Sequence, residues 1–370
     1  MKPYFQNDRT TLYHAKAEEV YPVLEPGFTL AILDGPYGVS IADWDRMGVD
    51  GLADWYRPHL EQVTRLMAPS ASLYLWNTAE GWARLDPMIR SMGWKFEALV
   101  TWLKTNPPSQ KGTEALRCWP DFTEVCGVYQ REELCPLGGP AQFISYAAGA
   151  SEGNTIRKWL YSERARAGLT GDQLEEAVNE VGGKGNMICR HSFTESQWCL
   201  PTWEQWKALH QAWNQSGNPE GRPYLQRDQS RVYDLANPTD HDALRADHDA
   251  LRAEYDALRC PFTMPVGIGN VWTHQLVPVT SRLICDDGSY HPTEKPLLFA
   301  DRIIRASSRP SDRILVPFGG TSREAVANQR LEEPRHVTSI EMNRLYLDAV
   351  RGCFELDTTP KHPTQQGLFK

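Results

Sequence analysis

Leu30-Ala31-Ile32-Leu33-Asp34-Gly35-Pro36-Tyr37 is the stretch that decides the fold of this 370-residue chain. Its apolar residues continue a run that starts at Phe28 and ends abruptly at an acid, a turn pair and an aromatic residue. A short, continuous apolar run is typical of a strand buried on both faces of a parallel sheet. Ligands bind beyond the carboxyl ends of such strands. The side chains of Asp34 and Tyr37 are therefore predicted to face a crevice.

A second set of motifs lies far downstream. His291-Pro292-Thr293-Glu294-Lys295-Pro296 precedes a predicted helix. A strand from Arg313 to Pro317 leads into the glycine loop Phe318-Gly319-Gly320-Thr321-Ser322, and a later strand, His336 to Ile340, ends at Glu341. A strand, a glycine turn, a helix and a second strand with an acid about 20 residues on form the pattern of a nucleoside-cofactor site. Glycines let the backbone approach the ligand, and the acid binds ribose hydroxyls.

Together these motifs resemble those of the DNA methyltransferases that modify exocyclic amino groups with S-adenosylmethionine. Asp34-Gly35-Pro36-Tyr37 resembles the catalytic Asp-Pro-Pro-Tyr signature of that family, and residues 291–296 resemble its His-Pro-Thr-x-Lys-Pro motif. Pro317-Phe318-x-Gly320 is similar to its Asp-Pro-Phe-x-Gly-Ser-Gly cofactor loop, and Ile340-Glu341 to its ribose-binding strand end. Trp102-x-Lys104-Thr105-Asn106 fits the middle segment of the family. The catalytic motif precedes the cofactor motif, as in the permuted β class.

The resemblance implies roles for individual residues. Asp34 would accept a proton of the target amine and Tyr37 would stack on the flipped base, with Pro36 fixing the backbone between them. The implied cofactor-binding residues come from both motif sets: Asp34, His291, Lys295, Phe318, Gly319, Gly320, Thr321 and Glu341. In that family an Asp-initiated tetrapeptide accompanies adenine N6, so we expect methylation of adenine N6 in double-stranded DNA, without a metal. Methylation of cytosine N4 is the alternative.

Four departures from the family pattern favour a second hypothesis. Val316 stands where the cofactor loop begins with Asp, and Ser322 replaces its last glycine. Gly35 replaces a proline, and Lys16 stands near the position of an acid that precedes the catalytic strand. Losing one hydrogen bond costs about 0.5–1.5 kcal/mol. A catalytically impaired DNA-binding protein on the same scaffold is therefore the second candidate.

Alternating strands and helices predict an α/β fold with a doubly wound, Rossmann-like sheet and a mostly helical insertion. We predict a catalytic half over residues 1–130, a target-recognition region over 131–265 and a cofactor-binding half over 266–370. Within the insertion, Ala167-Gly168-Leu169-Thr170 is typical of a helix-turn-helix corner, although a plain helical hairpin fits almost as well. A seven-residue repeat over residues 241–259 indicates a helical spacer, with a homodimer as the alternative.

Charge and cysteine content limit the class of protein. The net charge of −8 argues against a protein that coats DNA. Local basic residues are the predicted DNA contacts, with a solvated helix face as the alternative: Lys104, Arg157, Lys158, Arg164, Arg166, Lys184 and Arg190. Eight cysteines without a Cys-x-x-Cys pair, and no apolar run of about 20 residues, predict a cytoplasmic protein that does not span a membrane. The helical insertion resembles that of bacteriophage and prophage enzymes, and no nuclease signature accompanies it.

Overall fold

The structure is a computed structural model that forms two compact units, residues 1–133 with 260–370 and residues 134–259. The structure describes residues 1–105, 119, 121–131, 160–161, 164–165, 167–180, 188–193, 201, 203–216, 260–263 and 267–355. Within these ranges, no helix combines the length and the apolar character that crossing a membrane requires.

The first unit is built on a sheet whose described strands have the order β1-β2-β9-β8-β3-β4-β6-β5-β7. The strands are β1 (Phe5–Gln6), β2 (Thr10–His14), β3 (Phe28–Leu33), β4 (Met67–Asn77), β5 (Lys95–Lys104), β6 (Thr123–Gln130), β7 (Val271–His274), β8 (Arg313–Val316) and β9 (His336–Glu341). Strand β1 is antiparallel to β2, and β6 is antiparallel to both of its neighbours. The other neighbouring strands are parallel.

Helices cover both faces of this sheet. In chain order the described α-helices are α1 (Ala17–Val20), α2 (Leu52–Leu66), α3 (Ala79–Ser91), α4 (Gly171–Glu180), α5 (Ile188–Ser192), α6 (Trp203–Gln215), α7 (Leu297–Ser307), α8 (Arg323–Gln329) and α9 (Arg344–Glu355). Ala31 and Leu33 of β3 pack into a core with α2 and α3, whereas Leu30 and Ile32 pack into a second core with α7 and α8. Strand β3 is thus buried on both faces, which explains its continuous apolar run. The predicted doubly wound α/β fold is confirmed.

Strand β3 lies between β4 and β8. Leu30 is paired with Ile314 and Ala31 with Leu315, so β3 and β8 end side by side. The chain leaves β3 through α2 toward β4, and it leaves β8 through α8 toward β9 on the other side. The strand order therefore diverges between β3 and β8, and such a switch point is where open α/β sheets bind ligands.

The second unit contains α4, α5 and α6, whose apolar side chains share a core that includes Leu174 and Trp213. The turn predicted at residues 167–170 is present. Gly168 has a positive φ of 71°. The backbone N–H of Thr170 donates to Gln173 Oε1, and the backbone N–H of Gln173 donates to Thr170 Oγ1. This reciprocal capping fixes the start of α4.

Candidate active site

A cavity of about 680 Å³ opens at the carboxyl ends of β3, β8 and β9. This volume is within the range of ligand pockets in proteins, roughly 300–1,000 Å³. Residues from both motif sets line it: Asp34, Pro36, His291, Phe318, Gly320 and Glu341. The sheet thus brings the tetrapeptide after β3 and the glycine loop after β8 to one cavity.

Asp34 lies at the end of a row of alternating charges. Lys295 Nζ is 2.9 Å from each Asp34 carboxylate oxygen, and the Tyr37 hydroxyl donates to Asp34 Oδ1 at 2.8 Å. Lys295 Nζ also lies 3.1 Å from Glu124 Oε2, and Lys104 Nζ lies 2.8 Å from Glu124 Oε1. We call Asp34, Lys295, Glu124 and Lys104 the charge row. Its two acids and two bases sum to zero charge when all four are ionised.

The charges of the row control one another's ionisation. Burial raises the pKa of Asp34, the Lys295 charge opposes this shift, and the Glu124 charge adds to it. Burial alone would lower the pKa of Lys295, but Asp34 and Glu124 raise it above its usual value. Burial would likewise raise the pKa of Glu124, but Lys295 and Lys104 lower it. Lys295 and Glu124 are therefore charged at neutral pH.

Two residues with other predicted contacts, Lys295 and Lys104, belong to the charge row. The resemblance assigns Lys295 to the cofactor, but the structure places its ammonium against Asp34, Tyr37 and Glu124. Lys104, predicted to contact DNA, is only 15% exposed and pairs with Glu124. Sheet register explains the pairing of Lys104 with Glu124, because β6 runs antiparallel to β5 and places Glu124 opposite Trp102, beside Lys104. Sequence reasoning missed Glu124, which belongs to none of the motifs.

Asp45 anchors the loop that follows the tetrapeptide, and sequence reasoning missed it too. Its buried carboxylate accepts backbone N–H groups from Tyr37 at 2.7 Å and Gly38 at 2.6 Å. It also accepts those of Val39 at 3.1 Å and Ile41 at 3.2 Å. Four donors on one carboxylate fix the backbone that carries the Tyr37 ring.

Asp45→Ala is expected to destabilise the protein by about 1.5–3 kcal/mol, since hydrogen bonds to charged groups contribute on that scale and four donors lose their acceptor. Thermal denaturation measures this effect as a lower Tm. Asp43→Ala is the matched control, because Asp43 is exposed and pairs only with the exposed Arg46 among described contacts. Equal Tm values for the two variants would show that the loop needs no anchor.

Glu341 holds the glycine loop from the end of β9. Its Oε2 accepts the Gly320 N–H at 2.7 Å, and its Oε1 accepts the Asn343 N–H at 2.7 Å. Burial raises the pKa of Glu341, and these hydrogen bonds oppose the shift. Gly320 has a φ of +50°, and a Cβ atom there would lie 3.2 Å from the His291 ring. Only glycine adopts this conformation without strain in so narrow a space.

The other predicted loop residues lie behind the cavity wall. A Cβ atom on Gly319 would lie 2.2 Å from Ser339 Oγ of β9, so Gly319 packs against the sheet. Thr321 is buried. Phe318 and Gly320 are the loop residues that line the cavity.

The structure accommodates two of the departures from the family pattern. Ser322 has a φ of +45°, the left-handed conformation that glycine favours, and its hydroxyl bonds to Ser339 Oγ at 2.8 Å. A Cβ atom on Gly35 would lie 2.7 Å from the Tyr56 hydroxyl and 2.9 Å from the Phe318 ring. A proline therefore does not fit at position 35 unless Tyr56 moves.

Aromatic rings form one wall of the cavity. The His291 ring stacks on Trp44 with centroids 6.4 Å apart, and it meets the Tyr346 ring at 5.1 Å. Burial and the charges of Lys295 and Arg282 lower the pKa of His291 to about 4. The imidazole is therefore neutral at pH 7 and gives the cavity an uncharged aromatic face.

Several lining residues belong to no motif, and sequence reasoning did not assign them to the site: His14, Glu18, Trp44, Trp55, His59 and Tyr346. Lys16 occupies the position of the expected acid, but Glu18 lines the cavity two residues later. His14 ends strand β2 beside Glu341 of β9.

Most of the side chains that are predicted to contact DNA lie outside the residues that the structure describes. Outside the described residues lie the heptad segment, the side chain of Arg190, and Arg157, Lys158, Arg166 and Lys184. The Arg164 guanidinium lies 4.6 Å from the Tyr161 ring centroid and 5.4 Å from that of Phe193. Exposed positions of α4 include Asp172 and Glu176, whose charge repels phosphate. A DNA-contacting role for α4 stays a prediction that this charge does not favour.

Sequence comparisons give the chain partial relatives. A family model described as DNA methylase matches residues 186–351, just under half of the chain. The DNA adenine methyltransferase YhdJ of Escherichia coli (strain K12) is 40% identical over 99 residues, which are 26% of this chain and 31% of that protein. The chain thus spans about a third of the curated relative that it matches.

Solved structures of low identity cover most of the chain. The crystal structure of the M1.HpyAVI–SAM complex is 14% identical with a TM-score of 0.42, covering 93% of this chain and 98% of that one. The PvuII DNA methyltransferase, described as cytosine-N4-specific, is 11% identical with a TM-score of 0.48, covering 95% of this chain and 88% of that one. Over residues 186–351, this chain is similar in sequence to the DNA methylase family.

Proposed function

We propose that this protein is an S-adenosylmethionine-dependent DNA methyltransferase that methylates the exocyclic N6 amine of adenine in double-stranded DNA. The observation that carries the proposal is a single cavity lined by Asp34 of the tetrapeptide, by Gly320 of the glycine loop and by Glu341. The DNA methylase match over residues 186–351 supports it, and the partial relative is named as an adenine enzyme.

The cavity suits a nucleoside that carries a positive charge. Glu341 would bind the ribose hydroxyls, and Gly320 leaves room for close approach to the backbone. His291 and Trp44 offer uncharged aromatic faces, and the carboxylates of Glu18 and Asp34 lie along the same cavity. When bound, S-adenosylmethionine supplies an electrophilic methyl group on a cationic sulfur.

Asp34 and Tyr37 would act on the target base. An exocyclic amine is a poor nucleophile because its lone pair is delocalised into the ring. Asp34 accepts a hydrogen bond from the amine, which localises the lone pair on nitrogen. It takes up the amine proton as the new N–C bond forms and the bond between the methyl carbon and the sulfonium sulfur breaks. The Tyr37 hydroxyl is held by Asp34 and Lys295, so its ring is fixed for stacking on a flipped base. Flipping costs a few kcal/mol, and stacking returns about 1–3 kcal/mol.

The proposal is tested by incubating the protein with labelled S-adenosylmethionine and duplex DNA of varied sequence, then digesting the DNA to nucleosides. Labelled N6-methyladenine is the expected product. Labelled N4-methylcytosine would change the assigned target from adenine N6 to cytosine N4. The absence of any labelled nucleoside would overturn the proposal, and the absence of cofactor binding in calorimetry as well would favour a catalytically impaired DNA-binding protein.

Glu341→Gln is expected to raise the Kd of S-adenosylmethionine by about 10- to 100-fold, the equivalent of one hydrogen bond to a charged acceptor. Because burial raises the pKa of Glu341, the wild-type Kd is also expected to rise as the pH falls through that pKa. Calorimetry measures both effects, and Glu332→Gln, on an exposed loop after α8, is the control. A Kd equal to that of the control would remove Glu341 from the cofactor site.

A further inference from the structure

Glu124 is a largely buried acid that the mechanism above does not use. Its side chain is 12% exposed and lies at the start of β6, outside every motif. Its two oxygens face three groups from three segments of the chain. Oε1 pairs with Lys104, whereas Oε2 lies 3.1 Å from both Lys295 Nζ and the Tyr37 hydroxyl.

Lys295 is shared between two carboxylates. Its ammonium lies 2.9 Å from both oxygens of Asp34 and 3.1 Å from Glu124. If Glu124 were neutral, Asp34 would be the sole anion beside that ammonium within the charge row. The ammonium would then hold the oxygens that the target amine needs as proton acceptors.

The net charge of the row also affects the reaction. The methyl donor is a cation, and the amine nitrogen gains positive charge as it attacks the methyl group. A centre with net positive charge opposes both, since like charges repel strongly in a buried site. With Glu124 ionised the four residues sum to zero, and with Glu124 neutral they sum to +1.

We propose that Glu124 is a positioning residue for methyl transfer: it balances Lys295, so that Asp34 stays available to the amine and the centre stays electrically neutral. This inference rests on the proposed function. It predicts that Glu124→Gln lowers kcat on the order of 10- to 100-fold, less than the roughly 10²- to 10³-fold cost of removing a group that touches the transition state, because Glu124 acts through Lys295. The Kd of S-adenosylhomocysteine, which carries no sulfonium charge, is expected to stay unchanged.

The pH profile separates this role from a merely structural one. The Glu124 charge raises the pKa of Asp34, so Glu124→Gln is expected to shift the acid limb of kcat to lower pH while lowering the plateau. The other titratable groups that interact with Asp34 are Lys295, Tyr37, Tyr56, Cys126 and Glu324. Burial raises the pKa of Glu324 to about 7, so the profiles are compared again in a Glu324→Gln background.

A charge-restoring double variant gives a second test. Glu124→Gln with Lys104→Met returns the row to zero net charge, so kcat is expected to recover in part. A packing role for Glu124 predicts a further loss instead. Glu97→Gln is the matched control, because Glu97 lies on β5 and pairs with Lys95 at the surface. Its kcat is expected to equal that of the wild type.

Failure of this inference is distinguishable from failure of the proposed function. The function fails if the wild type methylates no DNA. The inference is overturned if an active wild type and Glu124→Gln share the same kcat and acid limb, or if the double variant shows no recovery. Carbon-13 NMR titration of the Asp34 carboxyl group reports on the charge row without any reaction. An Asp34 pKa that is not lower in Glu124→Gln than in the wild type overturns the inference even for an inactive protein.

Discussion

Asp34→Ala is expected to lower methyl transfer by about 10²- to 10⁴-fold, the usual contribution of a general base. The carboxylate is the group at the cavity that accepts hydrogen bonds from both Lys295 and Tyr37, and it is the acceptor assigned to the amine. The fold is expected to survive, because Lys295 keeps Glu124 as a counter-ion. Single-turnover rates with duplex DNA measure the loss.

Cofactor binding distinguishes a catalytic role of Asp34 from a binding role. The Kd of S-adenosylhomocysteine, which carries no sulfonium charge, is expected to stay within about threefold of the wild type for Asp34→Ala, far below the change in rate. Asp34→Asn keeps the shape and one acceptor oxygen but loses the charge, so its rate is expected to lie between the rates of the wild type and Asp34→Ala. An active Asp34→Ala variant would show that the catalytic assignment is incorrect.

Lys295→Met is expected to have the largest effect on stability, about 3–5 kcal/mol, because it leaves the carboxylates of Asp34 and Glu124 together without the cation between them. Loss of the Lys295 charge raises the pKa of Asp34 further, so Asp34 takes up a proton. At neutral pH the rate is expected to fall. It is expected to recover in part as the pH rises and Asp34 ionises.

The stability of Lys295→Met is expected to fall as the pH rises, whereas its rate is expected to recover. An acid whose pKa is higher in the folded state binds protons more tightly there than in the unfolded chain, where the value is about 3.9 for Asp. The destabilisation is therefore smallest at low pH and grows as the pH rises through the folded-state pKa. Thermal denaturation at a series of pH values measures this, with Lys95→Met, at a surface ion pair, as control. A destabilisation that does not change with pH would show that the row is not coupled.

Much of the first unit could be predicted because its elements carry local periodic patterns. Strand β3 has the bounds of the apolar run, Phe28–Leu33, and the strand predicted from Arg313 to Pro317 is β8, Arg313–Val316. Strands β1, β2 and β7 were not predicted. They have two, five and four residues, and polar side chains interrupt the apolar run in each, whereas the four-residue β8 continues without interruption through Ile314, Leu315 and Val316.

The residues of the site were predictable where they lie at or just after the end of a strand. Asp34 directly follows β3, Gly320 lies in the loop after β8 and Glu341 ends β9, so their meeting followed from parallel strand order. Glu124 and Asp45 carry no such signal. Glu124 needs the antiparallel register of β6, and Asp45 needs a loop that folds back on the Tyr37 backbone.

The sequence by itself determined the class of sheet, the motif residues and their order, because neighbours in the chain create those patterns. Tertiary structure alone decided that Lys295 and Lys104 neutralise internal acids, that a Cβ atom at position 35 would meet the Tyr56 hydroxyl and that Ser322 takes a glycine conformation. Each of these depends on residues that are distant in the chain and adjacent in space. Electrostatic energy and steric overlap depend on distance in space, which no local pattern records.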